Sequence, residues 1–205
     1  MSGAFPTSPL PSSVKFRSLQ PTFISVSHAL NTHTRTRNAQ RWSLELQFAP
    51  VYTWATFAPI FAFLLKQKGR AEQFTYTLPT SILPARGNWG GSILVNGGSQ
   101  TGTTIDLDGF GASDSDAVKA GDLIQWDKKI YIVTDDAASN GSGEASVNIE
   151  PAIISSPGDN DPVSIHQSSG GLSMYCSLGS DETELDFNAC VKYGMTILLG
   201  ENIES

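Results

Sequence analysis

Acidic side chains outnumber basic ones by 20 to 13 in this 205-residue chain, and one run of them has a cation-loop spacing. Asp106, Asp108 and Gly109, followed by Asp114 and Asp116, place carboxylates two residues apart, as oxygen-liganded cation loops do. Such a loop also needs a third alternating acid and a bidentate Glu at its twelfth position, and neither is present. The run therefore reads as an acidic, solvated turn. Gly109-Phe110-Gly111 lacks the third glycine and the following helix pattern of a dinucleotide fingerprint. His28, His33 and His166 stand apart from any Ser or Cys nucleophile signature, so no triad is spelled out. No two carboxylates are marked as the acid and base of a wall-degrading hydrolase. We expect no catalytic residue, no cofactor site and no metal site, and a chain that is not an enzyme. Trp89, Trp126 and Tyr131 could form a sugar platform, although their places in alternating runs also fit a core. Cys176 and Cys190 have no zinc spacing and read as buried free thiols, with a disulfide left as the alternative. Asn140-Gly141-Ser142 matches a glycosylation acceptor, which has meaning only in a secreted chain.

The composition narrows the class. Charged residues make up 16% of the chain, against roughly 25% in an average soluble domain, while glycine and proline are plentiful. Short strands joined by many turns are expected from that balance. A net charge of −7 argues against general nucleic-acid binding, which rests on Lys and Arg neutralising phosphates. The charge is unevenly placed. Residues 1–90 hold nine basic residues against two acidic ones, a net of +7, whereas residues 91–205 hold four against eighteen, a net of −14. Such a split fits two surfaces with different partners, or head-to-tail contact between copies. The N-terminus has no basic region followed by an apolar core, and residues 49–65 are interrupted by Pro50 and Pro59 and too short to span a bilayer. A soluble chain made in a reducing cytoplasm is expected.

The elements that would position these residues follow from the periodicity. Pro6, Pro9 and Pro11 mark an extended leader, followed by strand-like runs at Val14–Leu19, Thr22–Ala29 and Gln40–Phe48. In the third, Trp42, Leu44, Leu46 and Phe48 alternate with polar residues, the pattern of a half-buried antiparallel strand. The intervening Asn31–Gln40 stretch, polar and basic, reads as an exposed hairpin tip. Phe57, Ile60, Phe61, Leu64 and Leu65 form the stripe of one amphipathic helix near residues 54–68. If Thr56 caps it, Pro59 lies in the first turn; if Thr53 does, Pro59 lies inside and bends the helix. Gly69 is the expected C′ residue. Gln73–Leu78 is a further strand. Beyond the glycine-rich Gly87–Gly91, short strands are expected at Ser92–Val95, Thr103–Leu107, Asp122–Trp126, Lys129–Thr134 and Ala145–Ile149. Five strands so spaced suggest a small barrel or sandwich. Strands at Leu172–Leu178, Thr183–Lys192 and Gly194–Leu199 complete the chain.

Two stretches carry a resemblance. One runs from RWSLELQF through the helix FAPIFAFLLKQKGRAEQFTYTLP; the other is VKAGDLIQWDKKIYIVTDDAASNGSGEASVNIEPAI. Together, across about Arg41–Ile153, they resemble minor structural proteins of tailed-bacteriophage tail tips, the distal tail or baseplate-hub family. The resemblance implies a mainly β chain: a tail-tube-like β-sandwich with one flanking α-helix, built from 1–86 plus 163–205, and an inserted all-β, small barrel-like domain at 87–162. It implies a non-enzymatic virion component made in the host cytoplasm and located in the tail. There it would form a ring, expected to be a hexamer, that joins the tail tube to the tip or fibres. Partners would be copies of itself and the tube, hub and fibre proteins, with no nucleic-acid sequence recognition and no membrane span. The alternatives are the tail tube protein itself and a glycan-binding module for host attachment. No catalytic, cofactor-binding or metal residues are carried over from the family.

Overall fold

Alternating apolar runs of four to nine residues should pair into sheets that bury one face, and the chain does so twice. The computed structural model describes residues 3–36, 39–167, 171–187 and 193–203. The protein is mainly β with one α-helix. Its chain divides into two compact units, the first made of residues 1–77 and 175–205 and the second of residues 78–174.

The first unit begins with β1 (Ser13–Leu19), β2 (Thr22–Val26), β3 (Thr32–Thr36) and β4 (Arg41–Tyr52). The helix α1 (Trp54–Lys66) follows, then a single 3-10 turn at Gly69–Ala71 and β5 (Phe74–Thr77). In the second unit come β6 (Leu94–Val95), β7 (Thr104–Asp108), β8 (Leu123–Trp126), β9 (Lys129–Val133), β10 (Ala145–Glu150) and β11 (Ser164–Ile165). The chain then returns through β12 (Ser173–Leu178), β13 (Asp186–Phe187) and β14 (Tyr193–Glu201).

The main sheet of the first unit has the order β1-β4-β14-β12-β5, with β13 added on β14. The alternation in β4 is realised: Trp42, Leu44, Leu46 and Phe48 are buried on one face, with Met195, Ile197 and Leu199 of β14 beside them. Trp42 stacks on Phe16 of β1 with ring centroids 4.4 Å apart. Phe57, Ile60 and Leu64 are the buried residues of α1, and Phe57 meets Phe48 edge-on at 5.8 Å. A β5 edge row that could recruit another strand is instead occupied by the leader, because Phe5 N donates to Thr75 O and Thr75 N donates to Gly3 O.

Several expectations change here. The Asn31–Gln40 stretch is not a hairpin tip. Thr32, Thr34 and Thr36 are β-branched residues at alternating positions, which favour extended backbone, and they form β3 against β2; the turn lies earlier, at Ser27–Asn31. Thr53, not Thr56, occupies the N-cap of α1, so Pro59 sits inside the helix. Lys68 rather than Gly69 takes the first left-handed position after the helix, at φ 53°. Of the expected Thr183–Lys192 strand, Asp186–Phe187 is a strand and residues 188–192 lie outside the described residues.

The second unit is a six-stranded antiparallel sheet in the order β11-β8-β9-β10-β7-β6. Its edge strand β6 is hydrogen-bonded to the segment that leads into the opposite edge. Val95 N donates to Asp161 O, Asn160 N to Val95 O, and Val163 N to Ile93 O. One stretch of chain thus ties both edges, which leaves few strand groups open for recruitment. The core holds Trp89, Ile105, Leu107, Val118, Ile124, Trp126, Tyr131 and Val147 among others.

The joints of this unit also lie outside Gly87 and Pro162. Ala85 N donates to His166 O, Leu78 N to Leu172 O, and β11 pairs with β8, so residues 78–86 and 163–174 belong with the strands of this unit. Glycine-rich composition marked a turn inside the unit rather than its entrance. The redrawn boundary redistributes charge. The first unit holds nine basic and eight acidic residues, a net of +1, and the second holds four and twelve, a net of −8. The C-terminal acids therefore share a unit with the basic N-terminal strands.

Candidate assembly surface

Each residue singled out for possible chemistry has a definite place. Asp106 lies on β7 and its carboxylate accepts from Ser146 Oγ. Asp114 Oδ1 accepts from Asp116 N at 2.9 Å, and both Asp114 oxygens receive Asn88 Nδ2. Asp116 and Asp136 flank Lys119 Nζ at 2.7 and 3.1 Å. The acids are thus spread over turns. Among the described residues no group of three or more His, Cys, Asp or Glu could hold a metal ion. The hydrogen bond from Ala120 N and the Lys119 ammonium hold the Asp136 carboxyl below its ordinary range.

Gly109 has a steric reason: at φ +93° a Cβ would collide with Ser92 O. That accounts for the Asp-Gly pair without a ligand. Asn140 also serves its turn, since its Oδ1 accepts from Ser142 N and Glu144 N while its Nδ2 donates to Glu144 Oε2.

His166 is buried in the second unit. Its Nε2 faces Ile82 O at 2.6 Å and Pro79 O at 3.2 Å, while Leu172 N points at Nδ1 from 3.4 Å. Carbonyls only accept and the amide only donates, so the ring is the neutral tautomer with its proton on Nε2. It works as a clip between residues 79–82 and 172. His33 is exposed on β3, and His28 lies in the turn before it.

The three aromatics of the possible sugar platform are all in the second unit's core. Trp126 and Tyr131 stack on each other at 3.8 Å, and Trp89 is sealed by Phe110 at 5.5 Å and by an Nε1–H bond to Asp122. None offers a face to a glycan. Cys176 is a free, buried thiol whose Sγ lies 3.6 Å from Phe74 O, and burial pushes its pKa up. Cys190 lies outside the described residues.

Sequence reading missed a structural carboxylate, Asp122. It is 1% exposed and accepts from four donors: Arg86 N, Gly87 N, Trp89 Nε1 and Lys119 N, at 2.6–3.1 Å. The donors come from two segments about 30 residues apart, so no local pattern in the sequence marks the site.

The surface that the fold does not account for is the β2–β3 ribbon. It forms a two-stranded sheet of its own, and all ten of its strand residues are exposed. Register divides its side chains sharply. Ile24 and Val26 share one face with Thr22, Thr32, Thr34 and Thr36; Phe23, Ser25, His33 and Arg35 share the other. An isolated two-stranded ribbon is marginal in water, and one that exposes Phe23, Ile24 and Val26 pays solvent twice over. At its tip Leu30 is 83% exposed and sits at φ 61°. Glycine or asparagine would satisfy that left-handed position better, so the turn does not explain why a leucine stands there.

The β1–β4 pair of the main sheet is charged. Lys15 and Arg17 of β1 both pair with Glu45 of β4, the lysine at 2.5 Å, and these cations hold the Glu45 carboxyl below its usual range. On the same unit the segment after β12 carries Asp181, Glu182, Glu184 and Asp186. No helix among the described residues is long and apolar enough to cross a membrane. No protein-family model matches the chain, and no curated protein matches it.

Proposed function

We propose that the chain is a non-catalytic structural subunit of a tailed-bacteriophage virion, assembling with copies of itself into a ring at the distal tail. The ring would join the tail tube to the tip or fibres. The observation that carries the assembly reading is the β2–β3 ribbon, exposed on both faces with Leu30 displayed at its tip. Exposed apolar surface of this kind marks contact sites, and a ribbon is an arm that a neighbouring copy can cover.

The charge layout supports the same reading. The first unit is nearly neutral overall, but eight of its nine basic residues precede β5 and six of its eight acids follow β12. Two unlike, complementary surfaces on one subunit give head-to-tail contact, which closes into a ring when the rotation allows. Charge of opposite sign sets register and speeds encounter. The placement in a phage tail rests on the sequence resemblance described above.

Two measurements test the proposal together. Gold-conjugated antibody against the chain should label one end of the tails in purified particles, at a few copies per virion. Label spread along the whole tail would make the chain the tube subunit, and label absent from particles would overturn the reading. Peptidoglycan and common glycans should remain unhydrolysed by the purified chain; turnover abolished by changing one carboxylate would make it an enzyme.

A further inference from the structure

Resting on the assembly reading, the structure further points to where the ribbon tip docks, and we infer that Leu30 of one copy inserts into a pocket beneath the Ser180–Glu184 segment of the next. The pocket is a cavity of about 180 Å³ within the first unit. Its apolar lining comes from Leu64 of α1, Leu178 of β12, and Met195 and Ile197 of β14. Glu182 and Glu184 stand on its rim.

Three features of the ribbon match that pocket. The first is size. An engineered cavity of about 150 Å³ lined by Leu, Ile and Phe accepts benzene, so a four-carbon leucine side chain fits a space of this volume. The second is charge. Arg35 gives the ribbon a permanent positive charge, and Glu182 and Glu184 line the pocket proposed to receive its tip. Asp181, the neighbouring acid, is engaged by Arg70 within its own chain, through Arg70 N at 3.3 Å. Among the described residues Glu182 and Glu184 join no ion pair. The third is the tip itself. Ser27 O accepts from Leu30 N and Ser27 Oγ accepts from Asn31 N, which fixes the turn and holds Leu30 in its left-handed, outward position. A turn that displays a leucine at a glycine-favouring site is built to present it.

The occupant proposed is a second copy of this chain, since ribbon and pocket lie on the same unit and every copy therefore carries both the tip and its receptor. Their contact is heterologous, the kind that propagates from copy to copy.

The test uses the full chain and sedimentation velocity over a concentration series. Leu30→Gly removes the inserted side chain and relieves the left-handed backbone, so its thermal midpoint should hold or rise. Its self-association should nevertheless weaken about tenfold to a hundredfold, the range for burying one leucine. Glu182→Lys with Glu184→Lys should weaken association as well, and adding Arg35→Glu to that variant should restore part of it. A trapping experiment complements the series: a Leu30→Cys chain mixed with a Thr183→Cys chain should give a disulfide-linked heterodimer between those two positions. Wild-type association that Leu30→Gly and the glutamate variants leave unchanged would overturn the docking site while leaving the assembly reading intact. A wild-type chain that stays monomeric at every concentration would overturn both.

Discussion

Replacing Asp122 by alanine should cost the second unit about 3–5 kcal/mol. The carboxylate's Oδ2 accepts from Gly87 N at 3.0 Å, Trp89 Nε1 at 2.6 Å and Lys119 N at 3.1 Å, while Oδ1 accepts from Arg86 N at 2.7 Å. Alanine leaves all four donors without an acceptor. A buried donor left unmade costs about 1–3 kcal/mol, and the sum is smaller than four independent losses because water can enter the space the carboxylate vacates. In a domain of this size each kcal/mol moves the melting point by about 4–8 °C, so a drop of about 12 °C or more is expected. Asp122→Asn is the discriminating control. With its oxygen in the Oδ2 position it keeps three of the four bonds and sets its amide against Arg86 N alone, for a cost of about 1–2 kcal/mol. Circular dichroism melts of the two variants, with hydrogen exchange at residues 86, 87 and 119, measure both effects. Equal losses for Asn and Ala, or unchanged exchange at those amides, would refute this role of the Asp122 carboxylate.

Four other outcomes follow from the same structure. The Tyr76 hydroxyl is buried with no hydrogen-bond partner among the described residues, so Tyr76→Phe should stabilise the first unit by about 1 kcal/mol in denaturant melts. Burial pushes the Tyr76 pKa up to about 12, so its share of stability, full below pH 10, should be lost as pH rises from 10 through 12, and Tyr76→Phe should flatten that alkaline loss. Asp136, with its pKa lowered by Ala120 N and Lys119, contributes stability above its ordinary value near 3.8 that disappears as pH falls below it; Asp136→Asn should reduce the acid sensitivity seen in melts between pH 5 and 2. The Cys176 thiol is buried and its pKa raised, so iodoacetamide at pH 8 should label it, by peptide mass mapping, only as fast as the first unit opens.

What the sequence made legible was periodic. The alternation of Trp42, Leu44, Leu46 and Phe48 points to the core, and so does the stripe at Phe57, Ile60 and Leu64, because burial on one face leaves a repeat of two or of about 3.6; Leu65, expected in that stripe with Phe61, is instead exposed. The β3 strand was hidden because both its faces meet water, so its threonines, histidine and arginine show no apolar alternation. The unit boundary was hidden for a different reason. It depends on His166 reaching back to Pro79 and Ile82, and on Leu78 meeting Leu172, contacts set by register across more than 80 residues. Composition changes at Gly87 instead, where Asp122 organises a turn. The candidate assembly surface was half legible: the basic ribbon stood out as an exposed polar stretch, but its apolar content and the tip leucine acquire meaning only once Ile24 and Val26 are seen facing solvent.

Self-assembly through the first unit is the central claim, and the mass of the purified full chain in solution tests it most directly. Light scattering after size exclusion, with negative-stain images of the same peak, should give an integral multiple of the single-chain mass and annular particles, six copies being the expected number. A single-chain mass that persists as concentration rises, with no annular particles in the images, would contradict the account.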